Sequence, residues 1–419
     1  MPAKAPAGVV PESRRLRFVW NYLDWGGAQV YLLAIMKLAR DDWDIEVLLP
    51  TGSSGELVCL IDSLDVRYRF IDACLDKAPA PTIFRKVQRQ WRRIRAEYVT
   101  FRELEQEGLD GLVVHSELAP WQSWIFYWAL VRRGARVCMT MHNALPPNPA
   151  WRRLVWRSRL WFLSRLPTFQ ILPSNQHVKE SLREWVDPGF FQRMPVTYTA
   201  VDPTEIEAAL AGPFDRGDCR HSLGIPDDAT VVLSVGQFID RKGRWVLLEA
   251  AAEVCRVVDG VYFVWLTPEL PGGAEMVRVT AYGLLDQFKL VRSRDVGSTR
   301  IDTLRFFRVG DIFVLPSFVE GLPIALLEGM AMGLPSISTN VYAIPEAVID
   351  GDTGLLIEAG DHKCLAERIV QLSRDAELRQ RLSERGRRHV LANFDQRDSA
   401  GIAIDEYIRL SSIEVRSTR

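Results

Sequence analysis

The chain contains 419 residues, of which 47% are hydrophobic and 25% charged, so its composition excludes disordered and fibrous proteins and, at roughly 150 residues per domain, predicts two domains. The net charge of −1 conceals an asymmetry: residues 1–170 carry 24 Lys and Arg against 17 Asp and Glu, whereas the remainder carries 28 against 36. Eleven of the 13 Trp precede residue 200. A basic, Trp-rich front half suits an anionic interface.

The cysteines and the apolar runs exclude further classes. The six cysteines lie far apart in the sequence without a CxxC pair, which argues against a disulfide framework and a zinc site. This predicts that the protein is located in the reducing cytoplasm. The first 18 residues lack the apolar segment of a signal peptide. The longest apolar run, Trp124 to Val131, is too short for roughly 30 Å of hydrocarbon, so we expect no membrane span.

Short apolar strands alternate with helices along the first half. The run from Leu16 predicts a strand, and apolar residues at helical spacing between Val30 and Leu38 predict an amphipathic helix. Further strand-like runs follow at 43–50, 66–72, 111–116, 135–143, 168–175 and 194–202. This alternation predicts a parallel sheet covered by helices on both faces.

A polar segment with Pro and Gly, residues 203–217, is predicted to link this unit to a second alternation of strands and helices. We therefore predict an N-terminal Rossmann-like domain over 1–202, a C-terminal one over 218–395, and a closing helix within 396–419 that packs back on the N-terminal domain. The predicted fold class is α/β, with two Rossmann-like, doubly wound domains facing a central cleft. Such folds bind ligands at the carboxyl ends of their strands.

Residues 316–357 hold the densest pattern of candidate site residues. Glu320 precedes a predicted helix that begins at Pro323, where the missing N–H costs nothing, and Glu328 lies on its second turn. Glu320, just before the helix, could accept a hydrogen bond from a sugar hydroxyl, and Glu328, two turns along, could accept from a ribose diol. The alternative is that both carboxylates are simply solvated at the helix end. The helix start and its dipole suit an anion such as pyrophosphate, through the candidates Gly321, Leu322, Pro323 and Ile324.

The same stretch carries a family resemblance. The spacing Glu-x7-Glu within PSxxEGLPxxLLEGMAxGLPxIxT resembles the retaining glycosyltransferases of the GT-B fold, specifically glycosyltransferase family 4, the glycosyl transferases group 1. The segments IPEAVIDGDTGLLI and VLSVGQFIDRKGRWVLLEAA resemble further parts of that family, so the resemblance covers most of residues 230–395. It implies two Rossmann-like domains and transfer of a sugar from a nucleotide-sugar donor.

Roles in donor binding follow from the resemblance. It implies that Lys242 neutralises the donor diphosphate, that Glu320 contacts the transferred sugar, and that Glu328 holds the nucleotide ribose. Arg241 is a plausible second cation. The chain departs from the family pattern at Gln237, where an Arg is usual, in the loop 267–276, where a G-x-G is usual, and at Tyr342 and Ala343, where two small residues are usual.

Gly26 and Gly27 follow the first predicted strand and permit close approach of a ligand to the backbone. A tight turn without a ligand is the alternative, but the resemblance implies that GG-A-Q lies near the donor diphosphate and the acceptor. The dinucleotide fingerprint GxGxxG is absent from the sequence, which argues against a nicotinamide-dependent enzyme.

Two histidines end predicted strands of the N-terminal domain. The resemblance implies that His142, in Thr-Met-His, points into the cleft as a catalytic residue with Glu320 and Lys242, whereas a structural histidine is the alternative. His115 and Glu117 are the candidates for binding the acceptor.

Two segments, 84–102 and 151–166, interleave Arg and Lys with aromatic residues at helical spacing. Helices of this kind lie on anionic membrane surfaces, and the alternative is a helix whose aromatics pack on the sheet. We expect peripheral contact with the inner face of a membrane. The domain as a whole is not basic enough for nucleic acid.

The sequence thus predicts a retaining glycosyltransferase that moves a sugar from a nucleotide-diphosphate sugar to a glycan or lipid-linked acceptor in cell-envelope or exopolysaccharide synthesis. No DxD motif follows a strand, so we expect no metal and no other cofactor. Two alternatives stay open: a GT-B enzyme that rearranges sugars, such as a nucleotide-sugar epimerase, and a degenerate sugar-binding scaffold. A sugar phosphorylase would need a lysine in a pyridoxal-binding context, which the sequence lacks.

Overall fold

The structure is a computed structural model, and it describes residues 14–20, 23, 27–73, 82–117, 124–145, 149–284 and 286–414. Within these ranges twelve strands, β1 to β12, lie in two sheets. In chain order the strands are Arg14–Val19, Trp43–Pro50, Arg67–Ile71, Val113–Glu117, Arg136–Met141, Phe169–Pro173, Thr230–Val235, Val261–Thr267, Phe288–Arg292, Ile312–Leu315, Ser336–Thr339 and Leu355–Ile357.

Eighteen α-helices among the described residues, α1 to α18, surround these sheets. In chain order they are Gly27–Ala39, Gly55–Asp62, Ile83–Gln106, Trp124–Arg132, Ala150–Leu163, Gln176–Ser181, Pro188–Arg193, Pro203–Ala211, Arg216–Ser222, Arg244–Val257, Gly273–Thr280, Ser293–Val296, Arg300–Phe306, Ile324–Ala331, Ile344–Ala347, His362–Arg374, Ala376–Asn393 and Gln396–Ser411. Short 3-10 helices add Asp240–Lys242 and Phe307–Val309.

The N-terminal sheet is parallel and has the order β3-β2-β1-β4-β5-β6. Every residue of β4, β5 and β6 is buried, as expected of parallel strands covered on both faces. One apolar cluster joins the sheet to α1, α2 and α18, and another joins it to α3, α4 and α5. These two groups of helices therefore cover opposite faces of the sheet.

The C-terminal sheet repeats this plan with the order β12-β11-β10-β7-β8-β9. Apolar clusters again line both of its faces. Both sheets reverse their strand order beside their first strand, between β1 and β4 and between β7 and β10, which is where doubly wound sheets open a crevice. The predicted α/β class with two Rossmann-like domains is confirmed.

The chain passes between the domains at two points that pair with each other. The Val201 N–H donates to the Phe394 carbonyl oxygen at 2.9 Å, and the Gln396 N–H donates to the Val201 carbonyl oxygen at 2.9 Å. After this point α18 packs on the N-terminal domain, where Tyr407 and Trp43 meet edge to face at 5.7 Å. The N-terminal domain is therefore built from both ends of the chain.

Local predictions around the crossing were less accurate. The run 194–202 was predicted to be strand-like, but it lacks strand structure apart from an isolated bridge at Val201. Within the predicted linker 203–217, residues Pro203–Ala211 form α8, because Asp202 accepts the Thr204 N–H at 2.9 Å and proline occupies the first helical turn. Within the described ranges, no helix is both long and apolar enough to span a bilayer.

Candidate functional site

Loops at the carboxyl edge of the C-terminal sheet bring the predicted site residues together. The 3-10 turn Asp240–Lys242 follows β7, and the loop 316–323 follows β10, its neighbour in the sheet. Gly243 joins them, because its φ is +74° and a Cβ there would overlap the Pro316 carbonyl oxygen. The Phe318 N–H also donates to the Arg241 carbonyl oxygen at 2.9 Å. Only glycine permits this close approach of the two loops.

Glu320 is the centre of a charged cluster. Its side chain is 6% exposed, and its Oε1 lies 2.5 Å from Lys242 Nζ. Arg241 Nη1 donates to Oε2 at 3.3 Å, and the Ser317 hydroxyl donates to Oε1 at 2.8 Å. Two cations and one buried carboxylate thus meet at the sheet edge, which gives this point a surplus of positive charge.

Helix α14 begins directly after this cluster. Pro323 is its N-cap and not its first helical residue, so the predicted start is wrong by one position. Gly321 lies against the N-terminal domain, because a Cβ there would overlap the His142 carbonyl oxygen. The turn that holds Leu322 and Ile324 therefore faces the other domain across the cleft, with the positive end of a helix dipole directed at it.

Glu328 lies two turns into α14 and is 4% exposed. Its Oε1 accepts from Arg300 at 2.5 Å, and Arg300 also donates to Glu205 Oε2 at 2.7 Å. Burial raises the pKa of Glu328, although the charge of Arg300 opposes that shift. The carboxylate is held in place by an arginine that the sequence reasoning missed, since a pairing between distant segments has no local signal.

His142 follows β5 at the carboxyl edge of the N-terminal sheet. Its ring meets Tyr31 edge to face at 6.0 Å, and its Nε2 lies 3.5 Å from Glu117 Oε1. That Nε2 atom is buried and has no hydrogen-bond partner among the residues that the structure describes. A buried polar nitrogen of this kind is costly unless something bonds it, and it belongs to the residue whose carbonyl oxygen contacts Gly321 across the cleft.

His115 is a correction to the sequence analysis. It is fully buried in β4, where its Nε2 bonds the Thr140 hydroxyl at 2.7 Å and its Nδ1 bonds the Tyr407 hydroxyl. Burial, and after it the charge of His142, lowers the pKa of His115 to about 3. A neutral imidazole with both nitrogens occupied offers nothing to an acceptor, so His115 is a core residue. Its companion Glu117 is 6% exposed and lies beside His142.

The two glycines predicted to lie near the donor, and the atypical loop of the C-terminal domain, are the remaining predicted positions. Gly27 is the first residue of α1, whereas Gly26 lies outside the described residues. In the atypical loop 267–276, Gly272 caps α11, and Glu275 pairs with Arg244 at 2.6 Å.

A second contact between the domains was also missed. The Glu346 carboxylate accepts the backbone N–H groups of Gln176 and His177 at 2.9 and 2.8 Å, so a side chain of the C-terminal domain caps α6 of the N-terminal domain. Tyr342 meets the His177 ring edge to face at 5.4 Å and has a φ of +50°. The atypical aromatic residue at position 342 therefore belongs to a contact across the cleft.

Residues 215–389 match the family Glycosyl transferases group 1. The lipopolysaccharide core biosynthesis glycosyltransferase LpsE of Rhizobium meliloti is 34% identical over 195 residues, 46% of this chain and 52% of that protein. N-acetyl-α-D-glucosaminyl L-malate synthase of Bacillus anthracis is 28% identical over 181 residues, 43% of this chain and 45% of that protein. The chain thus spans about half the length of these curated relatives.

Two solved structures have the same fold. A glycosyltransferase from Rickettsia africae has a TM-score of 0.75 at 16% identity, covering 96% of this chain and all of that one. HepE from Anabaena, in complex with UDP, has a TM-score of 0.72 at 17% identity, covering 95% of this chain and all of that one. The family match confirms the predicted resemblance over residues 215–389, and the likeness to these two structures confirms the predicted fold.

Proposed function

We propose, from the membership of residues 215–389 in the glycosyl transferases group 1 family, that the protein transfers a sugar from a nucleotide-diphosphate donor to a hydroxyl group. The observation that carries this proposal is the cluster of Lys242 and Arg241 around the buried Glu320, which adjoins the start of α14. HepE, which shares the fold, was crystallised with UDP and with UDP-glucose, which supports a nucleotide-sugar donor here.

The donor diphosphate binds against Lys242, Arg241 and the turn 321–324. Each charge-assisted hydrogen bond contributes about 1.5–3 kcal/mol, so the two cations compensate for the neutral Gln237. The diphosphate competes with Glu320 for Lys242, and this frees the carboxylate to accept a hydroxyl of the sugar. Glu328, which Arg300 holds in place, accepts from the ribose.

Transfer takes place where Gly321 meets His142 across the cleft. The bond between the sugar C1 and the phosphate oxygen breaks while the acceptor oxygen bonds C1 from the same face, so the configuration at C1 is retained. The departing phosphate oxygen takes the acceptor proton, and Lys242 and Arg241 stabilise its charge. The buried Nε2 of His142 is placed for a hydroxyl of the transferred sugar.

The cations of this site take the place of a metal in the proposed mechanism. No group of three His, Cys, Asp or Glu side chains is placed to hold a metal among the described residues. We propose a metal-independent reaction without a cofactor, and a glycan or lipid-linked acceptor in envelope polysaccharide synthesis, which the lipopolysaccharide role of LpsE supports.

The test is release of nucleoside diphosphate by the purified chain from a panel of nucleotide sugars, with and without a lipid and glycan extract and with EDTA present. We expect one donor to be consumed, and the product's anomeric configuration, read by NMR, to match the donor's. Glu320→Gln should abolish consumption, whereas Glu377→Gln, an exposed carboxylate on α17, should not. Binding of a donor without turnover would favour the sugar-binding scaffold, and an altered donor without transfer would favour the epimerase.

A further inference from the structure

The helices α3, α4 and α5 form an outer layer on one face of the N-terminal sheet. Of the 23 large hydrophobic side chains that are exposed among the described residues, 11 belong to this layer. They are Phe84, Val87, Trp91, Ile94 and Tyr98 on α3, Ile125 on α4, and Trp151, Leu154, Val155, Trp161 and Phe162 on α5. Apolar patches of this extent mark surfaces that meet a partner.

The exposed apolar residues of α3 lie on one face of the helix, because their spacing alternates between three and four. Phe84 is 76% exposed, Trp91 67% and Tyr98 62%. The opposite face packs on the domain through Ala96, Thr100 and Leu104. Every residue from 84 to 92 is exposed, so the first turns of α3 project beyond the body of the domain with their aromatic stripe open to solvent.

Helix α5 repeats this arrangement. Residues 149–155 are all exposed, and Trp151 and Leu154 are exposed by 64% and 68%. Its burial begins at Leu160 and Leu163. Two helices of the same layer thus present aromatic residues from projecting N-terminal turns.

The N-terminal turns of α3 and the segment around α4 and α5 carry cations only, whereas Glu97, Glu103 and Glu105 lie further along α3. Residues 85–95 contain six Arg and Lys and no Asp or Glu. Residues 118–179 contain eight Arg and one Lys and again no acidic residue. Aromatic side chains interleaved with cations complement a surface that is apolar at depth and anionic above it, which describes the headgroup region of a bilayer.

The position of the layer relative to the cleft follows from the fold. A helix that connects two parallel strands runs antiparallel to them, so its N-terminus lies at the carboxyl edge of the sheet. The projecting turns of α3 and α5 therefore lie at the same edge as His142, which α5 follows directly in the chain. The exposed patch borders the mouth of the cleft.

We propose that the α3–α5 layer docks on the surface of a bilayer with anionic headgroups and brings the mouth of the cleft to the membrane. This proposal rests on the proposed function only in its consequence, which is that the acceptor is anchored in that membrane. The aromatic side chains enter the headgroup region, and the cations of 85–95 and 152–159 bind the anionic headgroups.

Flotation of the full chain with vesicles tests the docking without any need for activity. We expect the chain to float with vesicles of 30% phosphatidylglycerol in phosphatidylcholine, and to float much less with phosphatidylcholine alone or in 1 M salt. Arg89→Glu with Arg92→Glu should lower the partition coefficient about tenfold or more, and Phe84→Ser with Trp91→Ser should do the same. Arg381→Glu with Arg388→Glu, exposed on α17, makes the same charge change elsewhere and should not.

Circular dichroism should show that all three double variants remain folded. A chain that stays in the pellet fraction with anionic vesicles would overturn the proposal, and so would equal flotation of the α3 variants and the α17 control. A concentration-dependent dimer abolished by the α3 variants would assign the patch to a protein partner instead. Donor consumption measured on the same preparations keeps a failure to dock separate from a failure of the proposed function.

Discussion

The carboxyl edge of the C-terminal domain and the α3–α5 layer of the N-terminal domain both concentrate cations, but they use them in opposite ways. At the carboxyl edge, Lys242 and Arg300 lie against the buried carboxylates Glu320 and Glu328. In the outer layer, cations and aromatics share an exposed surface with few acidic neighbours. At the carboxyl edge, the charged side chains are held in position for a small anionic ligand. In the outer layer, the cations remain available to an extended anionic surface.

Removing one partner of a buried pair is the strongest way to test the first arrangement. Arg300→Met should lower the free energy of unfolding by about 3 kcal/mol, because it leaves Glu328 buried without a cation. Urea denaturation followed by circular dichroism measures this change. The double variant Arg300→Met with Glu328→Gln should recover part of the loss, and equal stability of the single and double variants would show that the pair does not act as a unit.

The variant Lys242→Met tests whether the positive charge of Lys242 serves ligand binding rather than the stability of the fold. We expect the kcat/KM for the donor to fall about 100-fold or more, which corresponds to about 2.7 kcal/mol. Lys242→Arg should retain more activity than Lys242→Met because it keeps the charge. If both variants lose activity equally, the size of the side chain matters here and its charge does not.

The buried core beneath the cleft should give stability a pH dependence. His115 has a pKa of about 3 in the folded chain against about 6.5 when unfolded, so below pH 6.5 the unfolded chain takes up a proton that the folded chain refuses. The contribution of His115 to the free energy of unfolding is therefore complete above pH 6.5. It is lost at about 1.4 kcal/mol per pH unit as the pH falls from 6.5 toward 3.

Urea titrations at pH 7.5, 6 and 5 measure the slope. His115→Gln should be less stable at pH 7.5 and should show a flatter pH dependence below 6.5. An unchanged slope in that variant would assign the acid sensitivity to other groups.

The contact between the domains should have a smaller effect. Glu346→Gln weakens the cap on α6 by about 1 kcal/mol, because a neutral oxygen replaces a charged acceptor. The domains should then open more readily, which small-angle scattering reads as a larger radius of gyration and kinetics as a several-fold higher KM. Glu358→Gln, at an exposed position, is the matched control and should change neither.

The smallest effect is expected in the outer layer. Trp91→Ser removes a side chain that is 67% exposed, so the free energy of unfolding should change by less than about 0.5 kcal/mol. Thermal unfolding checks this value. A loss of 2 kcal/mol or more would show that the stripe packs on protein, and the contrast between the two regions would then be lost.

The sequence predicted the local parts of the candidate site and missed the parts built from distant segments. Glu320 and Lys242 were predicted together from the family resemblance, and the structure brings them side by side because both follow strands of one parallel sheet, whose carboxyl ends share an edge. Arg300 has no comparable signal, since it reaches Glu205 and Glu328 from a different helix.

Burial was the other property that the sequence did not reveal. His115 and His142 both stood near predicted strand ends, but Tyr407, which is 292 residues away in the chain, covers the first. In α3, the apolar period predicted the helix correctly, but the buried residues are Ala96, Thr100 and Leu104 on the opposite face, so the aromatic stripe points outward.

The return of α18 to the N-terminal domain affects how this protein is made on the ribosome. The face of the sheet that α1 and α2 cover is completed by residues of α18 such as Ala403 and Tyr407, which are synthesised after the whole C-terminal domain. At about 5–20 residues per second, the N-terminal half waits roughly 10–40 s for its last helix. The C-terminal domain is therefore the first unit that can complete its core, and the N-terminal domain needs protection until α18 arrives.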